Sequence, residues 1–243
     1  MAHDDDASAS AAYLEWKGWG IEQPFGSLSN GDTAYFTKEL REATRNSPIQ
    51  DVLEIGFGNG TFLAFCRSRG WKVTGTELGA ESIAAGKAAG YDVHPADYLT
   101  DIPEESFDLI VAFDLLEHIP QDEIVGFLTA LSARLRKGGT LVLRFPNADS
   151  WLGNSMQHGD PTHVTAVGYL KMKYFALRAN LDVVAFRGAT RRGFATSFVH
   201  GLYSVTAGPI VDAAAFAKRM LYFPGLPLVL STPNVVCVAR RRN

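Results

Sequence analysis

The chain has 243 residues, 47% of them hydrophobic and 20% charged, a globular composition sized for one large α/β domain with additions. Lys and Arg number 23 against 26 Asp and Glu, so the net charge is −3, the pI is about 6.1, and no general electrostatic affinity for nucleic acid is expected. Two widely separated cysteines, Cys66 and Cys237, an acidic N-terminus without signal or transit features, and no run near the roughly 18 apolar residues of a membrane span argue against a disulfide-stapled, secreted or membrane-spanning protein.

Residues 1–30 read as an N-terminal arm, disordered at first and then rich in aromatics (Tyr13, Trp16, Trp19, Phe25) that suit a flap over the core or over the mouth of a site. Asp32 to about Arg45 has helical spacing, with Tyr35, Phe36, Leu40 and Ala43 on one face. From residue 50 strands and helices alternate. Strands are expected at 51–55, 71–76, 91–93, 107–113, 140–145, 181–186 and 235–239. Helices are expected at 61–69, 80–89, 121–136 and 165–180, the third of them stopped by Gly138 and Gly139. Such alternation predicts a parallel sheet with helices on both faces, as one domain over 31–243. An apolar insertion at about 190–232 interrupts it. Its 207–230 stretch carries Pro209, Pro224, Pro227 and the pair Lys218–Arg219. It reads first as a segment packed on the core. A membrane-surface helix, a homodimer interface and a lid over the substrate stay open.

The most informative segment is Val52–Gly60 (VLEIGFGNG), a buried strand running into three glycines and then a helix. Glycines permit a tight turn and a close ligand, and the helix N-terminus offers free N–H groups. A dinucleotide site of the Gly-x-Gly-x-x-Gly type needs glycine at 61, where the chain has Thr61. The spacing of Gly56, Gly58 and Gly60, with Glu54 two positions ahead, instead resembles class I S-adenosylmethionine (SAM) methyltransferases. That resemblance implies a Rossmann-like seven-stranded sheet, mostly parallel with an antiparallel last strand. It also implies that Glu54 and the glycine turn hold the methionine part of SAM, Glu77 the ribose diol and Asp97 the adenine amino group. Asp114 and Asn147 follow at the next two strand ends, and ligands of open α/β sheets bind at that edge.

Methyl transfer to an alcohol requires loss of a proton, hence a general base or a metal ion. In Asp114–Pro120 (DLLEHIP), helical spacing would set Asp114, Glu117 and His118 on one face, and His163 returns in the loop after the fifth strand. This resembles the Glu-x-x-Glu-His motif of ubiquinone-biosynthesis O-methyltransferases and of small-RNA 3′-end 2′-O-methyltransferases. The resemblance implies Asp114, Glu117, His118 and His163 as ligands of Mg²⁺ or another divalent metal, although the first position here is Asp. The Leu-Glu-His-apolar-Pro pattern also occurs in SAM methyltransferases without metal, where His118 or His163 would be the general base with Glu117 beside it. Residues 32–190 further resemble bacterial methyltransferases of polysaccharide and cell-envelope biosynthesis, through the two motifs above together with Arg144–Ser150 (RFPNADS) and Gly159–His163 (GDPTH).

The leading expectation is therefore O-methylation of a sugar, nucleotide-sugar or glycan hydroxyl. Trp151 is a candidate to stack on the sugar, and Arg144, Arg187, Arg191 and Arg192 to meet a phosphate. A quinone-like or phenolic acceptor, RNA 2′-O-methylation and a non-catalytic SAM-binding module are the alternatives. The expected place is the cytoplasm or the inner membrane face, with peripheral membrane contact or a homodimer through 207–230.

Overall fold

In the computed structural model, residues 24–45 and 48–242 are described. The aromatic arm at Tyr13, Trp16 and Trp19 lies outside them, while Phe25 lies within. Two helices lead in, α1 (Asn30–Glu39) and α2 (Arg41–Thr44). Ser29 caps α1 with a reciprocal pair, its hydroxyl accepting from the Asp32 N–H while the Asp32 carboxylate accepts from the Ser29 N–H. The sheet follows: β1 (Asp51–Ile55), α3 (Thr61–Ser68), β2 (Lys72–Glu77), α4 (Ala80–Ala88), β3 (Asp92–Pro95), β4 (Phe107–Phe113), α5 (Ile124–Arg134) and β5 (Leu135–Pro146). It closes with α6 (Trp151–Gly159), α7 (Tyr169–Arg178), β6 (Leu181–Gly188), α8 (Phe198–Val205), α9 (Ala207–Tyr222) and β7 (Asn234–Arg241).

The strands form one sheet in the order β3-β2-β1-β4-β5-β7-β6. β7 runs antiparallel to both its neighbours, and the pairs from β3 across to β5 are parallel. The expected seven-stranded sheet with an antiparallel last strand is what forms. Period-two alternation divides the core. Leu53, Ile110, Leu141 and Cys237 face α5 and α7, whereas Val52, Leu109, Val142 and Val236 face α1, α3 and α4.

Three expectations are corrected. Gly138 and Gly139 do not end α5; Leu135 already has extended backbone, and the glycines sit inside β5 where its pairing with β4 shifts register between Phe107 and Leu109. Part of the loop expected after the fifth strand, Trp151–Gly159, is the helix α6. Among the described residues, the insertion between β6 and β7 packs on the core only near its end, through Val229. It folds as α8 and α9, whose apolar side chains are largely exposed, with Gly201 and Gly208 buried.

Candidate functional site

β1 delivers the glycine turn to the carboxyl edge of the sheet. Gly56, Gly58 and Gly60 all have positive φ, between 54° and 76°, a region L side chains seldom occupy. They differ in surroundings. A Cβ at Gly60 would stand 2.4 Å from the Phe25 ring, whereas one at Gly58 would meet nothing within 4 Å. The turn is therefore backed by protein at Gly60 and open at Gly58. Phe25 packs edge-on to Phe57 and Tyr91, so the one described member of the expected aromatic arm supports this turn.

The two acids expected here sit as the strands place them. Glu77, ending β2, accepts hydrogen bonds from the N–H groups of Gly58 at 2.9 Å and Leu78 at 2.7 Å. Glu54, the fourth of the 5 residues of β1, is buried, and its Oε2 has no hydrogen-bond partner among the described residues. Burial, and then the charge of Glu77, push the Glu54 carboxyl well above its ordinary range. Asp97 lies exposed in the single 3₁₀ turn after β3. Leu78, 87% exposed beside Glu77, adds a bare aliphatic surface that composition did not single out, although its place straight after the acid marks it.

At the end of β4 the chain departs from the expected helix. Asp114 has φ 53°, and the following 3₁₀ turn holds 116–118 alone, so Asp114 does not share a face with Glu117 and His118. Its carboxylate is gripped by the fork of Arg144, whose Nη1 also donates to the Tyr35 hydroxyl at 2.7 Å. Burial alone would lower the Arg144 guanidinium, but Asp114 outweighs it and raises it. Burial lifts the Tyr35 hydroxyl to about 12, the Arg144 charge opposing.

Glu117, His118 and His163 do converge, each offering one ligand atom within 4.8 Å of the others. The loop after α6 is stitched to the β4 turn: the N–H groups of Val164 and Thr165 donate to the Glu117 carbonyl, and the Thr165 hydroxyl to that of Ile119. His118 Nδ1 lies 3.2 Å from the Thr162 carbonyl. A carbonyl only accepts, and the Thr162 hydroxyl, 3.0 Å from Nδ1, gives its proton to Asp160 at 2.6 Å, so both contacts suit a proton on Nδ1 and the lone pair of the neutral ring on Nε2. The rings of His118 and His163 meet edge to face at 4.6 Å. His163 Nε2 stands 3.4 Å from Asp160 Oδ2 and 3.9 Å from Glu117 Oε1, and both carboxylates are buried. Asp160, overlooked as a site residue, fixes the loop by accepting from the Thr162 N–H and hydroxyl. Both buried acids thus approach the same ring nitrogen of His163.

The remaining expected residues are engaged elsewhere. Buried Asn147 donates to the carbonyls of Val229 and Thr232 and accepts from the Asp149 N–H, so it fastens the chain entering β7. The arginines proposed for a phosphate are taken up by acids of the same chain: Arg144 by Asp114, Arg187 by Glu39 and Glu42, Arg191 by Asp212 and Arg192 by Asp32. A cavity of about 320 Å³ lined by Arg41, Arg187, Arg191 and Asp212 is thus balanced in charge rather than anion-seeking. Trp151 opens α6 with its indole exposed.

A family model described as "Methyltransferase domain" matches residues 29–185. A ubiquinone biosynthesis O-methyltransferase of Idiomarina loihiensis is 28% identical over 42% of this chain and 45% of its own length. One from Xanthomonas axonopodis pv. citri is 26% identical over 57% of this chain and 58% of its own. A probable fatty acid methyltransferase of Mycobacterium tuberculosis is 31% identical over 42% of this chain and 25% of its own. The chain thus spans from a quarter to somewhat over half of these relatives. Among solved structures, a SAM-dependent methyltransferase from Archaeoglobus fulgidus superposes with TM-score 0.64 at 16% identity, covering 86% of this chain and 94% of that one. The [4+2]-cyclase SpnF superposes with TM-score 0.57 at 18% identity, covering 92% and 85%.

Proposed function

The chain belongs to the methyltransferase domain family, and from that premise we propose that it is a SAM-dependent O-methyltransferase acting on a lipid-soluble phenolic or quinol-like hydroxyl. The observation that carries the O-methyl reading is the cluster of Glu117, His118, Asp160 and His163 at the exits of β4 and α6. The acceptor class is supported by the names of the curated relatives and by the internal pairing of the arginines.

The glycine turn fits the cofactor on two counts: the open space at Gly58 and the buried Glu54 oxygen that lacks a donor. Bound there, SAM supplies an electrophilic methyl group on a sulfonium. Glu54 would hold its cationic amino-acid end, Glu77 and Asp97 the ribose and adenine, and Leu78 would offer the base an apolar surface. His118 takes the hydroxyl proton on Nε2 while Thr162 holds the ring from Nδ1. His163, between Asp160 and Glu117, packs edge to face on the His118 ring and positions it.

A divalent metal on Glu117, His118 and His163 is the second reading, favoured by their mutual approach and by the buried His163 Nδ1 without a hydrogen-bond partner among the described residues. It would lower the pKa of the acceptor hydroxyl directly. Asp114, tied to Arg144, stays outside that set. The sugar hydroxyl keeps Trp151 as its support.

Methyl-labelled SAM, incubated with fractionated cell extract, tests both halves. Label is expected in the organic extract rather than in sugar or RNA fractions. His118→Ala should slow transfer by about two to four orders of magnitude with SAM affinity unchanged. Full turnover by that variant would remove the base, and loss under chelator would replace it with the metal. Label in the sugar fraction would overturn the acceptor class.

A further inference from the structure

β6 is parallel to β5, so its carboxyl end at Gly188 lies on the edge that carries the glycine turn, and antiparallel β7 starts from that edge at Asn234. The connection that holds α8 and α9 therefore leaves from and returns to the edge that carries the site. They are amphipathic in the wrong sense for a surface helix. On α9 the half-buried residues are Val211, Ala215 and Arg219, while Ile210, Ala213, Ala214, Ala217 and Leu221 form an exposed stripe without a charge. Ile210 is 71% and Leu221 73% exposed; on α8 Phe198 is 72% exposed.

Charge decides what covers this surface. Between residues 193 and 230 the charged side chains are Asp212, Lys218 and Arg219. Asp212 is neutralised by Arg191. Lys218 and Arg219 have no carboxylate partner among the described residues, and Arg219 lies over the Phe216 ring. The surface is apolar with a basic margin at the exposed Lys218, while Arg219 stands on the half-buried face. In a two-fold pair of copies it would meet itself, basic margin included. An anionic bilayer matches both features, taking the apolar side chains to the acyl boundary and Lys218 among its headgroups.

We propose that α8 and α9 dock the protein on an anionic lipid surface, lying in its interface with the carboxyl edge of the sheet turned toward it. Among the described residues no helix is long and apolar enough to cross a membrane, so the contact is peripheral. This inference does not rest on the acceptor chosen above, because binding is read without turnover.

The test is sedimentation of the full chain with vesicles of phosphatidylcholine alone or mixed with phosphatidylglycerol. Binding is expected to the mixed vesicles. Lys218→Glu should weaken it by at least about fivefold, and Ile210→Glu with Leu221→Glu by more than about tenfold. SAM affinity and melting temperature report that these variants stay folded. Equal binding by the outward-facing variants would overturn the proposal, as would absence of binding to both vesicles. So would a dimer in sedimentation velocity that Leu221→Glu dissociates while vesicles leave it untouched.

Discussion

Glu54 holds the least comfortable charge at the cofactor end: a buried carboxylate with one unsatisfied oxygen, four positions along β1, facing the negative Glu77. Its carboxyl is raised in the fold, so the stabilisation it gives is fully present below the ordinary value of 4.5 and is lost as pH rises through the raised value. Glu54→Gln removes that dependence. The variant should melt above the parent at neutral pH, by roughly 1 to 3 kcal/mol for a buried unsatisfied group, and the gap should close as pH falls below 4.5. SAM affinity should fall with the same substitution, since the cation loses its counter-charge; calorimetry reads both. At this scale the residues of one strand-turn-helix unit, Glu54 to Gly60, were legible because their roles depend on local spacing. Asp114 was not, because a positive φ breaks the helical spacing of Asp114–Pro120 and nothing in those letters announces it. Asp160 was missed because its neighbours Glu117 and His163 are assembled by a loop that crosses from another strand.

The glycine turn allows a comparison of two substitutions with the same backbone strain and different surroundings. Gly58→Ala meets open space, so its stability cost is the left-handed backbone alone, about 1 to 2 kcal/mol. Its methyl group enters the volume assigned to the cofactor, and SAM affinity should drop at least tenfold. Gly60→Ala carries the same strain and drives a methyl against Phe25, for a total of about 2 to 5 kcal/mol. Adding Phe25→Ala should return part of the second loss and none of the first, as denaturant midpoints would show. The strands around this turn were readable because each is a short apolar run buried on both faces. The outward helices α8 and α9 were not, since a stripe of Ile, Ala and Leu reads the same whether it faces a core or something outside the molecule. Only the exposure of Ile210 and Leu221 separates those readings.

One buried ion pair ties the N-terminal helices to the far side of the sheet. Arg187 on β6 donates to the Glu39 carboxylate at 2.6 Å, to the Glu39 carbonyl at 2.8 Å and to Glu42 at 3.0 and 3.1 Å. The Glu39 side chain is fully buried, and its other oxygen accepts from the Thr190 N–H. The lock thus joins α1 and α2 to the segment leading into α8. Removing one partner of such a pair leaves the other charge stranded, so Arg187→Met should cost about 3 to 5 kcal/mol. Pairing it with Glu39→Leu should recover most of that, leaving about 1 kcal/mol for the hydrogen bond lost at Thr190. The pH response gives a second check. Burial would raise Glu42, but hydrogen bonds from Arg187 and Arg41 hold it below its ordinary range. Its contribution is therefore present above 4.5 and lost as pH falls through the lowered value. Arg187→Met should flatten that acid limb, whereas a variant that merely loosened packing would lower stability at every pH alike. Urea melts of the parent, the single and the double variant from pH 3 to 7 would separate a charge lock from a packing contact.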